Sequence, residues 1–311
     1  MKSFTILVFD SGAGGLSIST AVSQYFKKQG IGLHLVYLAD YEGFPYSLLS
    51  EEEVTKRVLL FIQQHLHRAP AEYLPDLIIL ACNTASTLAL SDLRMRVNIP
   101  VVGVVPAIKP AAQFSQTQVI GVLATPVTIA GGYLDQLNSE FAQNVEVILK
   151  GSAELVELSE EYIVSLSQSP QIHGVHPSQS SSGDLLHQLH RRIYQQISED
   201  VDWMLHQKQG ATLDTLVLAC NHFPLLQDIF VEYFQDQGLL IQCIDSSHAI
   251  AKRSEYLLLK NQPQSSQAVN KKSEPSLGSR QRFSVIPPKR ENKIYFEKYN
   301  SYQLFLSQFS D

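Results

Sequence analysis

Short apolar runs alternate along most of this chain with stretches whose apolar residues recur every three or four positions. That alternation predicts βα units wound around a parallel sheet. Residues 4–9 read as a strand, followed by the glycine-rich turn Asp10-Ser11-Gly12-Ala13-Gly14-Gly15. The next helix is expected to bury Ile18, Ala21, Val22, Tyr25 and Phe26, which are spaced to share one face. Residues 33–38 form the second strand, ending at Ala39-Asp40. Ser50 and Glu53 have capping-box spacing ahead of a helix lined by Val54, Val58, Phe61 and Ile62. Further strands are expected at 101–105, 119–123, 145–149 and 239–244, and helices at 154–166, 185–205 and 249–260. Residues 294–296 and 302–309 read as a closing strand and helix.

Two strands are near copies that stop at the same tripeptide. Ile78-Ile79-Leu80-Ala81-Cys82-Asn83 matches Leu216-Val217-Leu218-Ala219-Cys220-Asn221, and a helical pattern follows each. A buried parallel strand ending this way puts a thiol at the next helix's N-terminus, where α/β folds bind ligands. A free thiol has a pKa of about 8.5, and a helix N-terminus lowers it. Either cysteine alone reads equally well as a small core hydrophobe. The repetition favours chemistry, because coincidence must act twice, and it points to a reaction with two equivalent bases. Cys243 lies inside a strand pattern and reads as core.

The chain divides, on pattern, into a first α/β domain of residues 1–97 with 210–260 and 293–311, and a second of 98–209. A Ser/Gln/Pro-rich flexible insertion is expected at 168–184 and a polar, basic, disordered linker at 261–292. Composition, 44% hydrophobic and 17% charged over 311 residues, is that of a globular protein with a sizeable core. A net charge of −6 provides no electrostatic pull towards nucleic acid or an anionic membrane. No apolar stretch approaches membrane-spanning length, and the N-terminus lacks a signal-peptide layout. Three cysteines in or beside strands fit a reducing cytosol rather than a disulfide framework, so a cytoplasmic location is expected.

Other residues support more than one reading. The glycine-rich turn fits a phosphate cradle, a carboxylate site using Ser11 and backbone N–H groups, or a purely structural turn. Asp10, at a strand end, suits a substrate ammonium or proton transfer. Asn83-Thr84 and Asn221-His222 follow the two cysteines and suit helix capping or a ligand carboxylate. His222, two residues from a thiol, also suits acid catalysis. Glu160 stands among Glu154, Glu157 and Glu161, which composition assigns to a solvated helix face. His173 and His176 fall in the insertion without a third ligand, so no metal site is expected there.

Taken in order, several motifs resemble the glutamate racemases of the Asp/Glu racemase superfamily. They include Phe9-Asp10-Ser11-Gly12-Ala13-Gly14-Gly15-Leu16, Phe44-Pro45-Tyr46, Ala81-Cys82-Asn83-Thr84-Ala85 and Gly103-Val104-Val105-Pro106-Ala107. Thr125-Pro126, Cys220 with His222-Phe223-Pro224-Leu225-Leu226, and Ile244-Asp245-Ser246 continue the match. The resemblance implies two pseudo-symmetric α/β domains with mainly parallel sheets, a cleft between them and one cysteine from each side. It implies racemisation of glutamate without cofactor or metal, supplying D-glutamate for bacterial peptidoglycan. On this resemblance Cys82 handles the D-isomer's proton and Cys220 the L-isomer's, with Asp10, His222 and Glu160 assisting. Substrate contacts would come from Asp10, Ser11, Tyr46, Ser47, Asn83, Thr84, Asn221 and His222.

Ser47 stands where the family usually has Gly, and Asn221 where it usually has Thr. The match between the two cysteine segments therefore reads as partly accidental, while the pairing of the thiols does not. An aspartate racemase is the alternative within the superfamily, and His222-Phe223-Pro224 favours glutamate over it. The partner expected is a small-molecule substrate, with no nucleic acid or membrane; a homodimer is open. Some glutamate racemases are thought to restrain DNA gyrase, and only the basic 261–292 segment suggests such a role here.

Overall fold

The computed structural model describes residues 3–70, 74–167, 181–260 and 281–285, together with 302, 303, 305 and 306. Two parallel sheets organise them, and their central strands are apolar runs buried on both faces. The first sheet contains β1 (Ser3–Asp10), β2 (Gly32–Ala39), β3 (Leu77–Leu80) and β4 (Val101–Gly103). The second contains β5 (Val119–Ala124), β6 (Glu146–Gly151), β7 (Thr215–Leu218) and β8 (Gln242–Ile244). Spatial order runs β2-β1-β3-β4 in one and β6-β5-β7-β8 in the other. The halves are pseudo-symmetric, and the cysteine strands β3 and β7 hold the same place beside β1 and β5. A further strand, β9 (Gln281–Val285), pairs in parallel with β2 at the edge of the first sheet.

Along β1, Ile6 and Val8 enter one apolar cluster while Leu7 and Phe9 enter another, so helices must cover both faces. The helices α1 (Gly15–Lys28), α2 (Glu51–Arg68) and α3 (Asn83–Arg96) follow the first three strands. In α1, Ile18, Val22 and Phe26 are buried, while Tyr25 lies at the margin and donates its hydroxyl to Glu255 at 2.7 Å. The capping box at Ser50 and Glu53 is present at the start of α2. The second half carries α4 (Ile108–Phe114), α5 (Pro126–Ala130), α6 (Tyr133–Phe141), α7 (Glu154–Ser167), α8 (Ser181–Leu205) and α9 (Gln227–Asp236). The chain then returns to the first half as α10 (Ser247–Lys260), which packs on α1.

The division expected between 1–97 with 210–260 and 98–209 does not follow the sheets. β4 pairs with β3 in the first sheet, whereas β7 and β8 pair into the second. Apolar periodicity marks a strand without saying which neighbour it joins, and here each half takes one cysteine strand. Within 261–292, expected as a disordered linker, β9 is ordered in the first sheet. Its Phe283 and Val285 alternate with polar residues, an edge-strand period in a run too short to stand out. Residues 181–184 of the expected insertion begin α8; residues 168–180, with His173 and His176, lie outside the described residues. So do the expected strand at 294–296 and the rest of 261–292. Tyr302 and Leu306, near the C-terminus, are buried in the first core.

An ion pair with a buried carboxylate and a partly exposed guanidinium anchors the loop after β2. Asp40 is fully buried and accepts from Arg57 Nε at 2.5 Å, Arg57 Nη2 at 2.7 Å and the Tyr46 hydroxyl at 2.8 Å. Removing one partner of such a pair leaves an uncompensated buried charge. Arg57→Ala is expected to lower the free energy of unfolding by about 3 kcal/mol. The measurement is a urea midpoint at unchanged slope, with Arg57→Lys falling between the variant and the parent.

Candidate active site

Both cysteine strands end at one small cleft between the two halves. Cys82, Cys220, Ser11, Tyr46, Ser47, Asn83, Thr84, Asn221 and His222, all implied as site residues by the family resemblance, line it. Asp10 and Glu160 are buried behind this surface rather than on it.

The Ala-Cys-Asn repeat has a direct structural use. Asn83 Nδ2 donates to the carbonyl of Ala219 at 2.8 Å, and Asn221 Nδ2 donates to the carbonyl of Ala81 at 2.7 Å. Each asparagine thus ties its own strand end to the residue preceding the opposite cysteine. The expectation that the repeat is partly accidental is corrected here. An asparagine amide carries two N–H donors, and Asn221 also donates to Asp10 Oδ2 at 2.6 Å. A threonine hydroxyl, shorter and with a single hydrogen, cannot make both bonds. Asn221 therefore commits its donors to protein atoms rather than to a ligand.

The two thiols differ in surroundings. Cys82 caps α3, with the Ser11 hydroxyl 3.8 Å from its sulfur. Burial and the nearby Asp10 carboxylate nevertheless push it up to about 12, against the opposing effects of the Ala85 N–H and Ser11. Desolvation outweighs the helix terminus, so Cys82 is a thiol at neutral pH. Cys220 precedes a 3₁₀ turn at Phe223–Leu226, not an α-helix; α9 starts only after it. A side chain takes the helix's place: His222 Nδ1 lies 3.7 Å from Cys220 Sγ.

His222 Nε2 lies 3.0 Å from Glu160 Oε1, in a pair that is almost completely buried. Burial alone would lower the imidazole, but its contacts with Cys220 and Glu160 overcome that and raise it to about 10. The ring is an imidazolium at neutral pH, with one N–H towards each partner. The solvated-face reading of Glu160 is corrected: Glu154, Glu157 and Glu161 are exposed, while Glu160 is 4% exposed. It shares the buried face of α7 with Val156 and Ile163, one helical turn to either side.

Carboxylates of the protein itself fill the glycine-rich turn. Asp10 Oδ1 accepts from the Gly12 N–H at 2.7 Å, and Glu160 Oε1 accepts from the Ala13 N–H at 2.5 Å. These N–H groups are not available to a phosphate, which removes the cradle reading. Burial raises Asp10 to about 6, partly offset by the His222 charge. A Cβ at Gly14 would collide with the Asn221 amide and the His222 ring, and one at Gly12 with Glu160 and Phe44. Glycine is required because the turn meets the other half of the molecule.

Sequence reasoning missed several contributors. Phe44 sets its ring 5.8 Å from that of His222, and Arg57 acts at a distance by holding Asp40 and hence Tyr46. Thr125 and Thr128 line the cleft at the start of α5, the counterpart of the turn after β1, so the pseudo-symmetry was their signal. Val156 also lines the cleft, and nothing local marks it. Ser47 sits in a 3₁₀ turn without positive φ, so serine replaces glycine there at no backbone cost. Asn83 Oδ1 is a buried acceptor with no partner among the described residues.

Known proteins share this chain's sequence and arrangement. A family model described as Asp/Glu/Hydantoin racemase matches residues 6–253. A glutamate racemase of Photorhabdus laumondii is 39% identical over 254 residues, 82% of this chain and 76% of that protein. One from Escherichia coli is 37% identical over 264 residues, 85% of this chain and 80% of that protein. The crystal structure of Escherichia coli glutamate racemase with L-glutamate and the activator UDP-MurNAc-Ala superposes with a TM-score of 0.71 at 30% identity, covering 99% of this chain and 96% of that one. By sequence and by fold, this chain belongs to the Asp/Glu/hydantoin racemase family.

Proposed function

We propose that the chain interconverts L- and D-glutamate by a two-thiol mechanism, with Cys82 and Cys220 acting on opposite faces of Cα. The observation that carries this reading is the pair of thiols on pseudo-symmetric strand ends, lining one cleft. An α-proton of an amino acid is weakly acidic, so a preorganised, largely dry site must supply the base. Inversion then needs a proton donor on the other face. Two thiols suffice for both steps.

The protonation pattern supports a direction for the resting form. Cys82 holds its proton and is a ready donor. Cys220 faces an imidazolium, a counter-ion for the thiolate that would remove the proton of L-glutamate. After turnover the pattern is reversed, and the D-isomer is the substrate of that form. Asp10 keeps its charge close to Cys82, while Glu160 keeps His222 protonated. Asn83 Oδ1, unpartnered among the described residues, suits the substrate ammonium, and the Ser11 and Thr84 hydroxyls suit a carboxylate. In a bacterial cell the product would supply D-glutamate to peptidoglycan.

Racemisation is tested by circular dichroism of the purified chain with L-glutamate and with L-aspartate, without added cofactor. Inversion of glutamate is expected to be much the faster; preference for aspartate would overturn the substrate assignment. Cys82→Ala and Cys220→Ala are each expected to abolish inversion, and substantial activity in either would sink the two-base mechanism. Solvent deuterium uptake at Cα should respond differently to Cys82→Ser and Cys220→Ser for the two isomers.

The His222 pair also predicts a pH dependence of stability. Its folded value is raised from 6.5 to about 10, so its contribution is complete below 6.5 and is lost as pH rises towards 10. The difference in unfolding free energy between the parent chain and His222→Gln should therefore be largest in mildly acidic urea titrations. It should shrink steadily through the alkaline range, and a difference that grew with pH would show that the ring is neutral in the fold.

A further inference from the structure

We propose that Tyr302 is a positioning residue for the Cys220 side of the site, its hydroxyl holding the Glu160 carboxylate against His222. The proposal rests on the two-thiol reading and adds a residue that lies outside the matched stretch 6–253.

Glu160 uses its two carboxylate oxygens differently. Oε1 takes His222 Nε2 at 3.0 Å and the Ala13 N–H at 2.5 Å, while Oε2 takes the Tyr302 hydroxyl at 2.5 Å. Tyr302 thus completes a line of contacts from the C-terminal segment through Glu160 and His222 to Cys220. A hydrogen bond on each oxygen fixes the plane of the carboxylate, and that plane sets which edge of the imidazole meets it. With Nε2 held by Glu160, Nδ1 is left to face the sulfur.

The position is built rather than incidental. Tyr302 is completely buried, its ring stacked on Tyr41 at 5.7 Å and set edge-on to Tyr37 at 6.0 Å. Tyr37 in turn donates to the Gly12 carbonyl at 2.7 Å, in the turn that meets Glu160. Leu306, four residues further on, is buried in the same core. The segment is therefore packed into the first half while its hydroxyl reaches a residue on α7.

The chemistry suits a phenol. A neutral donor stabilises a carboxylate without cancelling its charge, whereas a lysine or arginine there would compete with the imidazolium for it. Burial and the neighbouring Glu160 hold the Tyr302 hydroxyl well above its ordinary range, so it remains a donor throughout the working pH range. Without that donor the charged Glu160–His222 pair loses ground to the neutral one, with the proton on Glu160. The imidazolium facing Cys220 would then be lost.

Tyr302→Phe keeps the ring and removes only the hydroxyl. In the full chain it is expected to melt near the parent, to lose about tenfold in kcat with KM within about twofold, and to alkylate Cys220 about tenfold more slowly with iodoacetamide at neutral pH, by peptide mass spectrometry. Cys82 alkylation should not change. Leu306→Ala, which loosens the segment but spares the hydroxyl, should lower the melting temperature without a selective effect on Cys220. Parental kcat and Cys220 alkylation in Tyr302→Phe would overturn the proposal, as would equal slowing of both cysteines or a selective Cys220 effect in Leu306→Ala. The alkylation measurement needs no turnover. A parent chain inactive on glutamate would refute the two-thiol reading while still deciding the role of Tyr302.

Discussion

Two amide hydrogen bonds, from Asn83 to the Ala219 carbonyl and from Asn221 to the Ala81 carbonyl, define how the halves of this molecule meet. Each joins the end of one cysteine strand to the residue before the other cysteine. The thiols are thereby presented to a common cleft from opposite sides. The glycine-rich turn has to be bare of side chains for the same reason, since Gly14 lies against Asn221 and His222. Sheet order, strand ends and glycine positions all serve this junction.

Symmetry of backbone does not extend to symmetry of charge. Cys82 is held as a thiol by burial and by Asp10, with a serine hydroxyl nearby. Cys220 faces a protonated His222, itself backed by Glu160. Two thiols on equivalent strand ends thus sit in electrostatically different surroundings. The cost is a site with two buried carboxylates, and each is bonded on both oxygens. A buried charge left without partners would destabilise the fold by several kcal/mol.

The most distant contributors are those with the least local signal. Arg57 reaches the cleft through Asp40 and Tyr46, and Tyr302 through Glu160. Nothing in the residues around Tyr302 marks it as part of a site. Glu160 lies in a run of glutamates whose composition suggests solvent, and helical phase alone separates it from its exposed neighbours. The chain's crossings between halves were also illegible, because periodicity identifies strands but not their pairing.

The amino-acid sequence by itself determined the α/β class, most strand and helix positions, the paired cysteines and the cleft residues beside them. Those features rest on local patterns: apolar runs, capping signals and short motifs at strand ends. Tertiary structure decided which half owns each strand, why the asparagines repeat, and how differently the two thiols are surrounded. Those outcomes depend on contacts between residues far apart in the chain and on how deeply each group is buried. The repeated Ala-Cys-Asn stood in plain view in the sequence, but only the fold turned it into a reciprocal clasp.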